Sequence, residues 1–163
     1  MTAPHIPKMT HADLVRRAER WLLNTKGCGF TFRELASVGN EIPDAIGWRR
    51  AGQISILVEC KATRNDFLSD KRKFFRRHPQ MGMGDYRYFM CPAHLINPRA
   101  NELPSGWGLL WVYPGQVREV SSSIRFEKSH KGEVGLLCSA LRRVQICGDL
   151  EKIYQDIGGV ERS

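Results

Sequence analysis

The feature that most constrains this chain is the run Ile54-Ser55-Ile56-Leu57-Val58, which leads straight into Glu59-Cys60-Lys61. A short β-branched run that starts just after Gly52 is strand-sized and too short for a stable helix. The preceding stretch, Pro43 to Arg50, reads as its partner strand, and Gln53 to Thr63 as the strand that carries the run, with Ala51-Gly52 as the loop between. A loop symmetric about those two residues sets Asp44 opposite Glu59, Ile46 opposite Leu57 and Trp48 opposite Ser55. Side-chain alternation then puts Glu59 and Lys61 on one face and brings Asp44 to it. Carboxylates opposed across a sheet repel, so they call for a cation. Lys61 is one. A divalent ion is another, and paired carboxylates with open water positions suit Mg²⁺. An ordinary Asp–Lys–Glu cluster on an exposed sheet face accounts for the same pattern. A one-residue slip in register would send Asp44 to the opposite face.

The rest of the chain places this hairpin in a mixed layout. Thr10 with Asp13 marks a helix start, and Leu14, Val15, Ala18, Trp21 and Leu22 repeat at helical spacing, predicting a helix to about Lys26. Phe30 to Val38 reads as a strand or strand pair, ended by Gly39-Asn40. After the hairpin, Asn65 is read as the cap of a helix reaching about His78, stopped by Pro79. Within it, Phe67 with Phe74 and Leu68 with Phe75 form an apolar stripe to pack on the sheet. Tyr86–Cys91, Gly106–Tyr113 and Val117–Val120 read as strands, with Pro114-Gly115 a turn. Val134 to about Asp156 reads as helical with a break at Gly148. The predicted class is α/β, a mixed central sheet flanked by helices. No linker divides the chain, so residues 1–163 read as a single domain, with a core at about 10–120 and a C-terminal helical extension, 121–163, of unassigned role.

Composition narrows the function. There are 25 Lys plus Arg against 17 Asp plus Glu, a formal charge of +8, which favours a polyanionic partner such as nucleic acid. No apolar run approaches a membrane span, and the start of the chain, with Pro4, His5 and Pro7, has no signal-peptide core. The cysteines at 28, 60, 91, 138 and 147 form no Cys-x-x-Cys pair. They read as reduced thiols of a cytoplasmic protein and give no zinc-ligand spacing. His78, His94 and His130 have no partner at ligand or triad spacing. No P-loop, dinucleotide glycine motif or Gly-x-Ser-x-Gly is present. Tyr86, Tyr88, Trp107 and Trp111 could stack bases, but their strand alternation suits core packing better.

Pro43-Asp44 followed by Glu59-Cys60-Lys61 resembles the PD-(D/E)XK nuclease motif. The run Glu59-Cys60-Lys61-Ala62-Thr63-Arg64-Asn65-Asp66-Phe67-Leu68-Ser69-Asp70-Lys71 is similar to the EIKxSRADFxxD(R)K run of the MmcB-like DNA repair family. Asp85-Tyr86-Arg87-Tyr88-Phe89, Leu103-Pro104 and Gly106-Trp107-Gly108-Leu109-Leu110 extend the likeness over roughly residues 10–115. The chain departs from that family in having Ile42 where Arg usually precedes Pro-Asp. The resemblance implies a restriction-endonuclease-like core and a Mg²⁺-dependent endodeoxyribonuclease, with Mn²⁺ as a substitute ion, acting in DNA repair or processing. It implies that Asp44, Glu59 and the Cys60 backbone carbonyl ligate the metal, and that Lys61 orients or activates the attacking water. Glu19, on the margin of the first helix's apolar seam, is a further candidate ligand; a solvated flank position explains it equally. Glu34 and Glu41 are weaker candidates.

The helix after the motif offers Arg64, Lys71, Arg72, Lys73, Arg76 and Arg77 to a phosphate backbone. Complementation of the helix dipole explains the same cluster. Two further readings stand beside the enzyme: a non-catalytic nucleic-acid-binding protein that retains the fold, and a structural domain whose acidic pair is incidental. Oligomeric state is not legible, although cleavage of two strands would call for two sites, as in a homodimer.

Overall fold

The computed structural model describes residues 8–155, so the expectations for the extreme N-terminus and for Asp156 lie outside the described residues. Six strands form one sheet whose spatial order follows the chain, β1 (Phe30–Arg33), β2 (Ala45–Arg49), β3 (Ile54–Cys60), β4 (Tyr86–Pro92), β5 (Gly108–Val112) and β6 (Val117–Ser121). β1, β2 and β3 are antiparallel, β3, β4 and β5 run parallel, and β6 returns antiparallel on β5. Helices cover both faces, so the sheet is mixed and the class is α/β, as the sequence predicts.

The hairpin register is the expected one. Ile46 faces Leu57 and Trp48 faces Ser55. The ladder begins at Ala45↔Val58, so Asp44 and Glu59 stand one step beyond it. Ala51 and Gly52 both have positive φ, and Gln53 N–H donates to Arg50 O at 3.1 Å. That mirror-image turn matches strand twist and holds the two strands in phase.

Helix α1 (His11–Asn24) starts with the predicted reciprocal cap, Asp13 N–H on Thr10 Oγ1 at 3.1 Å and Thr10 N–H on Asp13 Oδ2 at 3.0 Å. Its buried Leu14, Val15, Ala18, Trp21 and Leu22 pack on Ile56, Val58, Tyr88, Met90 and Leu110. The opposite sheet face carries Ile46, Trp48, Leu57, Phe89 and Leu109, covered by Phe67 of α2 (Arg64–Asp70) and Leu136 of α4 (His130–Ile146). Gly108 is required where β5 meets β4, because a Cβ there would lie 2.4 Å from the Tyr88 ring. Arg87, buried in β4, donates to the carbonyls of Pro79, Gly82, Gly84 and Glu127 and so fixes the loops at that end of the sheet.

Five expectations need correction. The strand or strand pair expected over Phe30–Val38 is β1 alone, and Glu34, at φ 45°, follows it directly. Thr63, not Asn65, caps α2, accepting from Asp66 N–H at 3.2 Å. The helix expected to reach His78 breaks after Asp70, and a one-turn helix α3 (Phe74–Arg77) follows. Phe67 is buried but Leu68 and Phe74 are about half exposed, so no seven-residue stripe packs on the sheet. The last long helix begins at His130 rather than Val134, capped by Ser129, and Gly148 at φ 78° ends it before a 3₁₀ turn at Leu150–Tyr154.

Candidate active site

The predicted motif residues converge where β2 begins and β3 ends. Glu59 is the penultimate residue of β3, and its carboxylate points to the α2 face with only 2% of the residue exposed. Lys61 follows on the same face and is also buried. Asp44 curls around the strand edge. Its Oδ2 accepts from Cys60 N–H at 2.7 Å. In an extended strand a residue's N–H and C=O point to the same side, so the Cys60 carbonyl opens on the flank that Asp44 occupies. Lys61 N–H points the other way, to Met90 O at 2.9 Å.

The structure adds a carboxylate that sequence reasoning missed. Asp70 is 2% exposed, and its Oδ1 lies 2.8 Å from Lys61 Nζ and 3.3 Å from Lys73 Nζ. Its other oxygen is bound by Arg76 Nε. The helix break explains that bond. Residues six apart on a continuous helix are about 120° apart around its axis and about 9 Å apart along it, and so are not neighbours on its surface. The signal for Asp70 was its place three residues after Phe67, on the inward side of α2.

Glu59 is therefore surrounded by cations. Its Oε2 lies 3.1 Å from Lys73, 3.5 Å from Arg76 and 3.8 Å from Lys61. Glu59 and Asp70 together face those three cations, and so their own charge is neutralised locally. Burial alone would push Asp70 up, but Arg76 and Lys61 hold its carboxyl below the usual carboxylate range. Burial would lower Lys73, but Glu59 and Asp70 raise it above an ordinary lysine.

Asp44 has the opposite balance. Burial first, and Glu59 second, push its carboxyl up to about 6. The His11 ring reaches it, with Nε2 3.4 Å from Asp44 Oδ1 and 3.2 Å from Glu34 Oε1. His11 begins α1 on the same side as Val15 and Ala18, so helical spacing was the signal that could have found it. Glu41, also buried, accepts from Met83 N–H at 2.8 Å and is pushed up to about 7, mainly by burial.

Two clefts meet here. One, of about 330 Å³, is lined by His11, Asp44, Cys60, Lys61, Asp70 and Lys73 among others. The other, of about 350 Å³, carries Glu41, Glu59, Phe74 and Arg76. Lys73 lines both, with its ammonium on Glu59 and its side chain about half exposed.

Glu19 is not brought to this cluster. Its carboxylate pairs with Arg33 Nε at 3.0 Å and accepts weakly from Thr31 Oγ1 at 3.4 Å. It stands eight residues beyond His11, about 12 Å along the helix axis, which removes it as a ligand. Glu34, a weaker candidate, is brought in, and Glu41, another, borders the second cleft but not the first.

The basic set divides by burial. Lys71, Arg72 and Arg77 are exposed. Arg64 is exposed but paired with Glu102. Arg76 is not available to a phosphate backbone: its side chain is 4% exposed, bound to Asp70 and stacked 4.2 Å from the Trp107 ring centroid. Trp107 and Tyr88 are buried, as core packing predicts; Trp107 stacks on Phe89, and Tyr88 meets Trp21 edge to face.

A second buried network lies behind the site. Ser55 Oγ is within 3.2 Å of Asp85, Glu133 and Lys128, and Trp48 Nε1 donates to Glu133 at 2.9 Å. It anchors α4, the helix whose role the sequence leaves open, to the sheet. Among the described residues no helix is long and apolar enough to cross a membrane.

No protein-family model and no curated protein matches the chain. Among solved structures it is similar to a protein of unknown function from Silicibacter pomeroyi, with a TM-score of 0.61 and 19% identity over 93% of this chain and 99% of that one, a likeness of fold alone.

Proposed function

We propose that this protein is a divalent-metal-dependent nuclease that hydrolyses DNA phosphodiester bonds, in keeping with its resemblance to PD-(D/E)XK and MmcB-like proteins. The observation that carries the reading is the meeting of Asp44, Glu59 and Lys61 at one strand end, in the register the motif requires. The donor types fit a hard dication: the carboxylates of Asp44 and Glu59 and the backbone carbonyl of Cys60 are all oxygens, at adjoining positions where β2 begins and β3 ends. Asp44, Glu59 and the Cys60 carbonyl would hold it, Mg²⁺ with Mn²⁺ as a substitute. When bound, such an ion polarises a phosphate and lowers the pKa of its water.

The chain's own residues supply the rest. Lys61 is held by Asp70 with its ammonium beside Glu59, positioned to orient water and offset phosphate charge. Lys73 guards Glu59 and, being half exposed, can swing out when a stronger cation or a phosphate arrives. Lys71, Arg72 and Arg77 lie exposed on the adjoining segment as backbone contacts for DNA. The test is cleavage of single-stranded, duplex and branched DNA with Mg²⁺ or Mn²⁺. Asp44→Ala and Lys61→Ala abolish cleavage while circular dichroism is retained; cleavage that persists in both refutes the assignment.

The second reading is a nucleic-acid-binding protein without catalysis. The observation that favours it is the saturation of Glu59 by Lys73, Arg76 and Lys61. On that reading DNA binding survives EDTA and weakens steeply with salt.

A further inference from the structure

Among the described residues, His11, Glu34 and Asp44 form a group whose ligand atoms all lie within 4.8 Å of one another. They come from three separate places: the first residue of α1, the residue after β1 and the residue before β2. Glu34 N–H donates to Asp44 O at 3.2 Å, which ties the last two together. The second oxygen of Asp44 is fixed by Cys60 N–H, the kind of outer contact that orients a metal-binding carboxylate. His11 and Asp44 both line the cleft that holds Lys61, which leaves room for water or a phosphate oxygen at the remaining positions.

We infer that His11 Nε2, Glu34 and Asp44 form a binding site for a first-row transition dication, sharing Asp44 with the proposed catalytic set. An imidazole nitrogen beside two carboxylates selects such ions over Mg²⁺, which prefers oxygen ligands alone. The site deepens the nuclease reading by naming the class of ion, but its binding stands on its own geometry. In the free protein His11 bridges the two carboxylates directly, at the distances given above, and the metal takes over that bridging place. The imidazole must be neutral to ligate, so ion binding releases its proton where it carries one.

The test uses the full chain with Mn²⁺. Calorimetry gives affinity, and pulsed electron paramagnetic resonance reads nitrogen coupling to the bound ion. Wild type shows ¹⁴N modulation, and a ten-fold excess of Mg²⁺ leaves it in place. His11→Ala and His11→Gln lose the modulation and weaken Mn²⁺ at least ten-fold, and Glu34→Gln weakens it several-fold. Glu59→Gln keeps the modulation. Absence of nitrogen coupling in wild type, or unchanged Mn²⁺ affinity in both His11 variants, overturns the site. The two readings fail separately. Nitrogen-coupled Mn²⁺ without DNA cleavage leaves the site standing and removes the nuclease. Cleavage with Mg²⁺ that needs Asp44 and Lys61, without nitrogen coupling, does the reverse.

Discussion

Replacing Asp44 with Asn should make the protein more stable and inactive at once. The native carboxyl is raised from 3.8 to about 6, by burial and by Glu59. Such a displacement corresponds to about 3 kcal/mol of unfavourable interaction of the ionised form at neutral pH. Part of it is screened at the cleft mouth, and so the expected gain from Asp44→Asn at pH 8 is about 1–2 kcal/mol. Asn keeps an oxygen that can accept from Cys60 N–H. The pH dependence has a definite sign. Between 3.8 and about 6 the folded protein binds this proton and the unfolded chain has released it. Stability from this group is therefore fully present below 3.8 and is lost as pH rises to about 6. Urea melts of both proteins from pH 4 to 8 measure it. The difference should open between pH 4 and 6 and stay level above; taking the difference cancels Glu41, which titrates with the same sign. Asp44→Asn less stable than wild type at pH 8 would refute the argument that this carboxylate is buried without its counter-ion.

Other outcomes follow from packing and charge. Gly108→Ala drives a Cβ to 2.4 Å from the Tyr88 ring and 2.8 Å from Ser121 O, and should cost roughly 2–3 kcal/mol in chemical denaturation. Arg87→Met strips donors from four backbone carbonyls and should cost roughly 3 kcal/mol or more by the same measurement. Arg72→Ala with Arg77→Ala should flatten the salt dependence of DNA binding by about two counter-ions without altering the melting temperature. Arg76→Ala should instead destabilise the fold, since it uncovers Asp70; an unchanged melting temperature would contradict its structural role.

The hairpin was legible because its turn and its alternating pattern fix the same register, and Asp44, Glu59 and Lys61 follow from that register. α1 was legible for a similar reason, since cap and periodicity agree. The segment after Thr63 was not. Its Phe residues suggest one helix, but the ion pairs of Asp70 with Lys61 and Arg76 are tertiary contacts that outweigh local periodicity. Arg76 read as a surface cation for the same reason, because nothing local says that Trp107 and Asp70 enclose it. His11 was overlooked because Glu34 and Asp44 are far from it in sequence. The Ser55, Asp85, Lys128 and Glu133 network likewise joins residues up to 78 positions apart, and no motif spacing reports it.

The sheet's spatial order repeats its order along the chain, from β1 at one margin to β6 at the other. No strand has to be inserted between two that are already joined, so the sheet can grow by accretion as synthesis proceeds, each new segment docking on the last. The cluster at the ends of β2 and β3 needs only the first half of the chain, apart from its floor of Phe89 and Trp107. The vulnerable moment is then the interval before β4 arrives, when β3 presents a row of unpaired backbone N–H and C=O groups to any other chain nearby.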